Sequence, residues 1–567
     1  MKPLHPISAT LAVTAGLFAA DPAWPEPTPV NQVFQFQSSG SYITAIRGET
    51  RRAMCYLWIP ETTKRVRGLL VLGANVPEHR LVGHELIRRM CAANDLAILW
   101  STPSFLHPVD WTKPFPSVAE MRPQREAMVR FFQQQLEALA RASGYDEVAT
   151  VPWLPIGEST HLFLVDALLE TRPERCIAGI YVKNTRIPPT NRRTPVLVIH
   201  ATAQEWDQEK TDIRSKWNDV SRFYEARLAE RKQNPGWPRS LIIDGHSGHF
   251  DCSDRLVAYM AGYIEQAVRL RCSADGSPAL RPVEIAAGFV ADLPVPGHGG
   301  SSIAPATTDD PRPWFFDRTA ALEAQQIASI DWKAESQLPI LLDERGRAIP
   351  NDFRGITKLT SVPFEADGLT FQLRAGLADT IPPGFVNAGA KLARAPGAPV
   401  IEWLIGPLEP LGGSRFRISL DRTWLGGGTT CVAIRQPGAA GIRDVVHPVY
   451  IDLKALRNTA GKLQTITFAP IGDVPRGTAN VPLRATSDAG LPVSFFVVAG
   501  PAVVRENTLV FTRIPPRSQG PVDVTVAAWQ WGRREHPAVQ MAEIVRQTFR
   551  LTAPASQPQG VLERKVN

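Results

Sequence analysis

A serine at a strand-to-helix corner is the residue of this chain whose surroundings point most directly to chemistry. An apolar run at 151–156 ends in Gly157-Glu158-Ser159, and a helical pattern begins at once with Thr160. Such a corner exposes a serine hydroxyl at the end of a strand, where it can attack a carbonyl carbon. A serine there can also simply cap the following helix. Ser159 is therefore a candidate nucleophile that requires a base and an acid elsewhere in the chain.

Two histidines follow a later apolar run and are the candidates for the base. His246 and His249 come directly after the run at 241–244. A histidine beside a serine accepts the hydroxyl proton during attack and later passes it to the leaving group. We expect His249 to be the base because Gly248 frees the backbone next to it, and His246 is the alternative.

Two carboxylates precede these histidines and are the candidates for the acid that orients the imidazole. Glu205 and Asp207 follow the apolar run at 195–200. The order serine, acid, histidine is one of the chain orders in which a catalytic triad occurs. We expect the acid to be Glu205, with Asp207 as the alternative; either can also be an ordinary solvated loop carboxylate.

Backbone N–H groups must stabilise the oxyanion that forms when the serine attacks. The N–H of Thr160 and one from the segment at 73–77 are expected to form this oxyanion hole. The segment ends in a proline, which has no N–H, so that Ala74, Asn75 and Val76 remain, and Asn75 is our prediction. The segment can also be a plain turn.

Aromatic residues follow the predicted strand at 96–100. Phe105 and Trp111 are predicted to line a substrate pocket, although aromatic side chains in such a loop can equally pack on one another. A zinc helix motif begins at His84 but has Arg88 where its second histidine is required. We therefore expect neither a metal site nor a cofactor.

Short apolar runs alternate with helical patterns from 33 to 272 and must position these residues. Continuous runs such as 68–72, 96–100 and 177–182 are typical of strands buried on both faces, and their alternation with helices predicts parallel β-α-β units. Each candidate residue stands just after such a strand, at the edge where open α/β sheets bind ligands. The fold class predicted for 33–272 is α/β, with a mostly parallel sheet and helices on both faces.

This region resembles the α/β-hydrolase superfamily. The resemblance rests on the elbow at 157–161, on the strand at 194–200 and on the Ser-Gly-His-Phe loop at 247–250. Two positions depart from the family pattern: His161 replaces the second elbow glycine, and Gln204 stands at the usual position of the acid. The resemblance implies a serine hydrolase that acts on esters through an acyl-enzyme.

The rest of the chain is richer in proline, glycine and serine. We predict a linker at 273–309, a mainly-β accessory region at 310–460 and a β-sandwich at 464–552. Residues 464–552 resemble bacterial immunoglobulin-like modules on the segments 464–468, 490–495 and 498–502. They depart from that pattern where 513–519 and 529–541 insert polar or bulky residues. The tail at 553–567 is predicted to be disordered.

Composition limits the classes of partner and the compartment. The 567 residues carry a formal net charge of +7 without a basic cluster, which argues against nucleic-acid binding. Residues 1–20 resemble a signal peptide, followed by a proline-rich linker at 21–32, and no stretch suits a stable membrane anchor. We expect a secreted or periplasmic protein. The six cysteines have no Cys-x-x-Cys spacing and predict no metal site.

These observations favour an exported serine esterase, whose substrate is a small-molecule or polymer-borne ester. A serine peptidase of the same fold is one alternative. Another is a non-catalytic binding or surface protein on a degenerate hydrolase fold, which His161 and Gln204 favour. By analogy, the C-terminal β modules suit contact with a glycan or a surface.

Overall fold

An eight-stranded sheet organises the N-terminal half of the molecule. The computed structural model describes residues 33–43, 50–102, 118–183, 193–203, 217, 219–273, 276–349, 357–426 and 429–552. Several sequence predictions lie outside these residues: the signal peptide and linker at 1–32, Phe105, Trp111, Gln204, Glu205, Asp207 and the tail at 553–567.

The strands of this sheet have the order β1-β2-β4-β3-β5-β6-β7-β8. They are β1 (Phe36–Ile43), β2 (Thr50–Trp58), β3 (Gly68–Leu72), β4 (Leu96–Ser101), β5 (Trp153–Glu158), β6 (Gly179–Val182), β7 (Val196–Ala201) and β8 (Arg239–Asp244). Strands β3 to β8 are parallel, whereas β1 and β2 run antiparallel to their neighbours. Every residue of β3 to β8 is buried, as continuous apolar runs predict. The mostly parallel α/β sheet is confirmed.

Helices connect the parallel strands. They are α1 (Val76–Gly83), α2 (Glu85–Ala93), α3 (Val118–Ser143), α4 (Leu162–Thr171), α5 (Val220–Gln233) and α6 (Asp254–Arg271). The sequence pattern predicts a helix at 82–93; the structure has α2 there and a further helix, α1, directly before it. His84 has an extended backbone, and its Nδ1 accepts from the N–H of Leu86, so that this residue ends α1 and caps α2.

The predicted linker at 273–309 contains secondary structure. It forms β9 (Phe289–Ala291) and β10 (Ile303–Pro305); directly after it, at the start of the region 310–460, lie β11 (Trp314–Phe315) and α7 (Arg318–Ala328). Val290 and Trp314 are buried in the same apolar core as the main sheet, and α7 packs against β8. Strands of two or three residues are too short to produce a readable alternation, which explains why the sequence pattern predicts a linker.

The next region is mainly β. Its elements are β12 (Pro339–Leu342), β13 (Thr357–Leu359), β14 (Thr370–Gln372), β15 (Arg374–Leu377), β16 (Val400–Ile405), β17 (Leu408–Gly412), β18 (Arg415–Ile418), α8 (Arg422–Leu425), β19 (Cys431–Gln436) and β20 (Val445–Ile451). Strands β13, β20, β19 and β16 form, in that order, one four-stranded sheet, which we call the accessory sheet.

The C-terminal part of the described chain also consists of strands. They are β21 (Ile466–Phe468), β22 (Val474–Pro475), β23 (Asn480–Pro482), β24 (Ala485–Ser487), β25 (Ser494–Ala499), β26 (Ala502–Arg505), β27 (Thr508–Phe511), β28 (Val522–Trp529) and β29 (Val545–Thr552). They make a four-stranded, a three-stranded and a two-stranded sheet. The likeness to an immunoglobulin-like module stays a prediction.

Two further findings concern the cysteines and the membrane. All six cysteines are buried and unpaired in thiol form, at Cys55, Cys91, Cys176, Cys252, Cys272 and Cys431. Among the helices that the structure describes, none has the length and apolar character needed to cross a bilayer.

Candidate active site

Ser159 lies at the corner that the sequence predicts, directly after β5. Its φ of 51° is in the left-handed region, which a serine seldom adopts and which therefore indicates local backbone strain. A short 3-10 turn, Ser159–His161, leads from this corner into α4. A Cβ on Gly157 would lie 2.7 Å from Val165 Cγ2 and 3.0 Å from the carbonyl oxygen of His161. Only glycine at 157 lets α4 pack so closely against β5.

His249 reaches this corner from the loop after β8. Its Nε2 lies 3.1 Å from Oε1 of Glu158, the residue that immediately precedes Ser159. The alternative base, His246, instead pairs through Nδ1 with the carboxylate of Asp444, which precedes β20. The structure thus brings His249 to the serine corner and places His246 against the accessory region.

Hydrogen bonds donated to two carboxylates shape the histidine loop, which we define as residues 245–253. Asp244 accepts from the N–H of His246 at 2.9 Å and from the hydroxyl of Ser247 at 2.5 Å. Asp251 accepts from the N–H of Gly248 at 2.6 Å. At the end of the loop, Ser253 caps α6 by accepting from a backbone N–H of its first turn. The position of His249 is therefore fixed by bonds on both sides of it.

Glu158, which directly precedes the serine in the chain and contacts His249, is a fully buried carboxyl group. Asn75 Nδ2 donates to its carboxylate and, at 3.3 Å, to its backbone carbonyl. Burial, and then the neighbouring carboxylate of Glu78, raise the pKa of Glu158 well above its ordinary value, against the opposing effects of Lys183 and Asn75. Groups with such perturbed pKa values cluster at functional sites.

Lys183 is a buried cation that follows β6 at the same edge of the sheet. Its side chain is 7% exposed, its φ is 58°, and its Nζ has no hydrogen-bond partner within the described part of the chain. Its charge lowers the pKa of both Glu158 and Asp251. A buried ammonium at this edge of the sheet offsets the negative charge of the Asp251 carboxylate.

His161, which replaces the second elbow glycine, binds the segment between β3 and α1. Its Nδ1 lies 2.7 Å from Glu78 Oε2 and accepts from the backbone N–H groups of Ala74 and Asn75 at 3.1 and 3.0 Å. A Cβ on Gly73 would lie 2.6 Å from that ring nitrogen, so the imidazole occupies space that only glycine leaves. The larger residue at 161 is thus accommodated by a smaller one at 73.

The backbone N–H of Asn75, which the sequence predicts to be part of the oxyanion hole, already donates a hydrogen bond within the protein. The N–H of Asn75 donates to Glu78 Oε2 at 2.8 Å, whereas Glu78 Oε1 accepts from the N–H of Glu158 at 2.8 Å. In this conformation Asn75 N–H is engaged within the protein, and the N–H of Ala74 has His161 as its neighbour. Thr160 lies in the 3-10 turn that begins at the serine.

Sequence reasoning missed three residues of the site: Glu78, Glu158 and Lys183. A signal existed for Glu78, because an asparagine followed three residues later by a glutamate is the pattern of a capping box, which Asn75 and Glu78 form. Glu158 stands inside the elbow, where its position in the sequence indicates only a turn. Nothing local marks Lys183. In the described residues, no group of three or more His, Cys, Asp and Glu side chains is arranged to hold a metal ion.

Comparisons with known proteins give distant likenesses to esterases and hydrolases. No family model matches the chain, and no curated protein matches it. Among solved structures, a cold-adapted esterase from an Arctic intertidal metagenomic library is 13% identical and covers 41% of this chain and 93% of its own, with a TM-score of 0.26. A carboxylesterase from Mesorhizobium loti is 17% identical, covers 40% and 98%, and has a TM-score of 0.24.

A third similar structure is poly(aspartic acid) hydrolase-1 from Sphingomonas sp. KT-1. It is 14% identical and covers 41% of this chain and 98% of its own, with a TM-score of 0.26. Because these likenesses are so distant, the description of the fold rests on the strand order above, and the proposed function rests on the geometry of the site.

Proposed function

We propose that this chain is a serine hydrolase of the α/β-hydrolase fold and that it cleaves carboxylic esters. The observation that carries the proposal is the left-handed φ of Ser159 at the end of β5, combined with the approach of His249 to the neighbouring Glu158. A strained serine corner and a histidine loop at the carboxyl edge of a parallel sheet are the two parts that this chemistry requires.

The proposed reaction has two halves. Ser159 Oγ attacks the ester carbonyl while His249 accepts its proton, and the proton then passes to the departing alcohol as the carbon–oxygen bond breaks. Water attacks the resulting acyl-enzyme, His249 again accepts a proton, and the carboxylic acid leaves as Ser159 regains its hydrogen. Glu205, or Asp207 as the alternative, orients the imidazole in this proposal.

The oxyanion of each tetrahedral intermediate is proposed to be bound by the N–H of Thr160 and by one N–H from the segment after β3. Asn75 serves as that second donor only if its bond to Glu78 is exchanged for one to the oxyanion. Phe105 and Trp111 are proposed to line the substrate pocket. We also propose that the protein is exported and that its C-terminal modules contact a glycan or a surface.

A fluorophosphonate probe tests the nucleophile. We expect the purified protein to be labelled and Ser159→Ala to abolish labelling, because only an activated serine hydroxyl attacks the phosphorus. Ser301→Ala is the matched control, since this serine is exposed and lies far along the chain in a loop between β9 and β10. Hydrolysis of 4-nitrophenyl butyrate should be lost in the first variant and retained in the second.

The same experiment separates the alternatives. A folded wild-type protein without labelling would contradict the enzyme and favour a binding protein on a degenerate fold. Labelling that persists in Ser159→Ala would place the nucleophile elsewhere. Labelled protein that cleaves peptide amides but not esters would favour the peptidase.

A further inference from the structure

The accessory sheet packs directly on the elements that carry the candidate site. The N–H of Val446 in β20 donates to the carbonyl of Ala203, just after β7, at 3.0 Å. An apolar cluster also joins α1 and the histidine loop to strands of the accessory sheet: its members are Val76, Phe250, Leu404, Ile405, Cys431, Ala433 and Val446. The accessory sheet therefore covers the carboxyl edge of the main sheet, at which the serine and the histidine lie.

Arg435 of β19 forms the polar part of this contact. Its Nη2 lies 2.6 Å from Oδ2 of Asp251, and its Nε lies 3.2 Å from Glu402 of β16. The side chains of Arg435 and Asp251 are 18% and 2% exposed. A charge-assisted bond of this length fixes the geometry of both groups, and removal of one partner leaves the other charge buried without compensation.

Asp251, which belongs to the histidine loop, also bonds to the backbone beside His249. Its other oxygen, Oδ1, accepts from the N–H of Gly248, the residue before His249. Burial alone would raise the pKa of Asp251, but Arg435 and Lys183 hold it below its ordinary value, so the group stays a carboxylate that accepts both bonds. A continuous path of two bonds thus joins β19 to the backbone beside the candidate base.

Aromatic contacts join the C-terminal neighbour of His249 to the accessory sheet. The rings of His249 and Phe250 meet edge to face with centroids 4.5 Å apart. Phe250 in turn meets Tyr450 of β20 edge to face at 5.6 Å. Such contacts restrict ring orientation beyond simple apolar burial. Two strands of the accessory sheet therefore constrain the two residues that flank His249.

We propose that the accessory sheet is part of the catalytic unit and that Arg435 is a positioning residue, which holds His249 against the serine corner through Asp251. This inference rests on the proposed function, since it assigns the origin of the histidine's placement. It gives the mainly-β region a role for which its own sequence has no signal. Displacement of a catalytic group by about 1 Å can cost about 100-fold in rate.

Steady-state kinetics with 4-nitrophenyl butyrate and the rate of fluorophosphonate labelling test the proposal on the full chain. We expect Arg435→Gln to lower kcat and the labelling rate by about 10- to 100-fold, with KM within about twofold of wild type, because the base is misplaced while the substrate site is not. Arg435→Lys should recover part of the loss, since an ammonium still reaches a carboxylate but cannot also span two.

Arg415→Gln is the matched control. Arg415 lies on β18, binds Glu365 through two bonds of 2.6 Å, and is 45% exposed on a different sheet of the same region. This variant should have the kcat of wild type. If Arg435→Gln remains folded by circular dichroism and also has the kcat of wild type, or if only its KM changes, the proposal is wrong.

Asp251→Asn keeps the proposal testable should Arg435→Gln fail to fold. The amide oxygen of the new side chain can still accept from Gly248 but no longer attracts the guanidinium, so we expect a smaller fall in kcat, about 5- to 20-fold. An unchanged kcat in this variant overturns the proposal. Absence of labelling in wild type would contradict the proposed function itself, whereas labelling that is insensitive to both substitutions contradicts only the role of Arg435.

Discussion

At the scale of single residues, the most unusual feature is a carboxyl group that has no access to solvent. Glu158 is 0% exposed, contacts His249 and accepts from Asn75. Burial and the nearby Glu78 raise its pKa, so the folded protein binds a proton here that the unfolded chain releases at a lower pH. Such a group reduces stability as the pH rises from the unfolded pKa toward the folded one.

Substitution of Glu158 by glutamine tests whether this carboxyl group makes stability depend on pH. An unfolded glutamate loses its proton near pH 4.3, whereas the buried group keeps it to higher pH, so wild type loses stability as the pH rises above about 4. The neutral, isosteric amide avoids that loss. We therefore expect the free energy of unfolding of Glu158→Gln, relative to wild type, to increase between pH 4 and pH 8 in urea titrations.

Glu409→Gln is the control for this prediction, because Glu409 is exposed on β17 and its substitution should leave the pH dependence of wild type unchanged. A difference between Glu158→Gln and wild type that is independent of pH would show that the carboxyl has the same pKa in both states. The kcat of Glu158→Gln is a separate measurement. Since Glu158 contacts His249, it shows whether catalysis needs an ionisable carboxyl group beside this histidine or only a side chain of the same shape.

At the scale of secondary-structure elements, the histidine loop and β20 pack tightly against each other at a glycine. A Cβ on Gly248 would lie 3.1 Å from Asp251 Oδ1 and 3.2 Å from Val446 Cβ, which is tighter than ordinary van der Waals contact. Neither neighbour can rotate away, since one is held by Arg435 and the other is a Cβ attached to a strand. An added methyl group must therefore move the loop.

We expect Gly248→Ala to lower kcat about 10-fold through this movement, and Val446→Gly, which removes the Cβ at the contact, to recover part of the loss when both substitutions are combined. The measurement is a double-mutant cycle on kcat. Gly262→Ala in α6 is the control, because a Cβ there meets nothing within 4 Å. Additive effects of the two substitutions would mean that Gly248 and Val446 do not press on each other.

Sequence patterns identify the elements better than the contacts between them. The strands β3 to β8 follow from continuous apolar runs, and the positions of Ser159 and His249 follow from the ends of β5 and β8. The pair of Arg435 and Asp251 joins residues 184 positions apart, and neither has a local pattern that marks a partner. The same holds for Lys183, whose burial depends on the packing of the whole edge.

At the scale of the whole molecule, the C-terminal module is joined to the main sheet domain through the segment at 513–519. Arg517 binds Glu147 at 2.8 Å, and its guanidinium lies 4.8 Å from the centre of the Tyr145 ring. Ser518 Oγ donates to the carbonyl of Ser143 at 2.6 Å. The segment at 513–519 is one of the two by which the sequence departs from the immunoglobulin-like pattern, and in the structure its residues contact the main sheet domain.

Arg517→Ala should therefore weaken the attachment of the module. Because the side chain is 40% exposed, solvent screens its ion pair, and we expect the free energy of unfolding to fall by only about 1 kcal/mol. Arg513→Ala is the matched control on the same segment, since this side chain is 84% exposed and lies 3.7 Å from Glu61. Thermal unfolding of both variants measures the effect: a lower midpoint for Arg517→Ala alone supports docking through the segment, whereas equal midpoints would mean that the apolar core shared by β28, β29 and the main sheet holds the module without it.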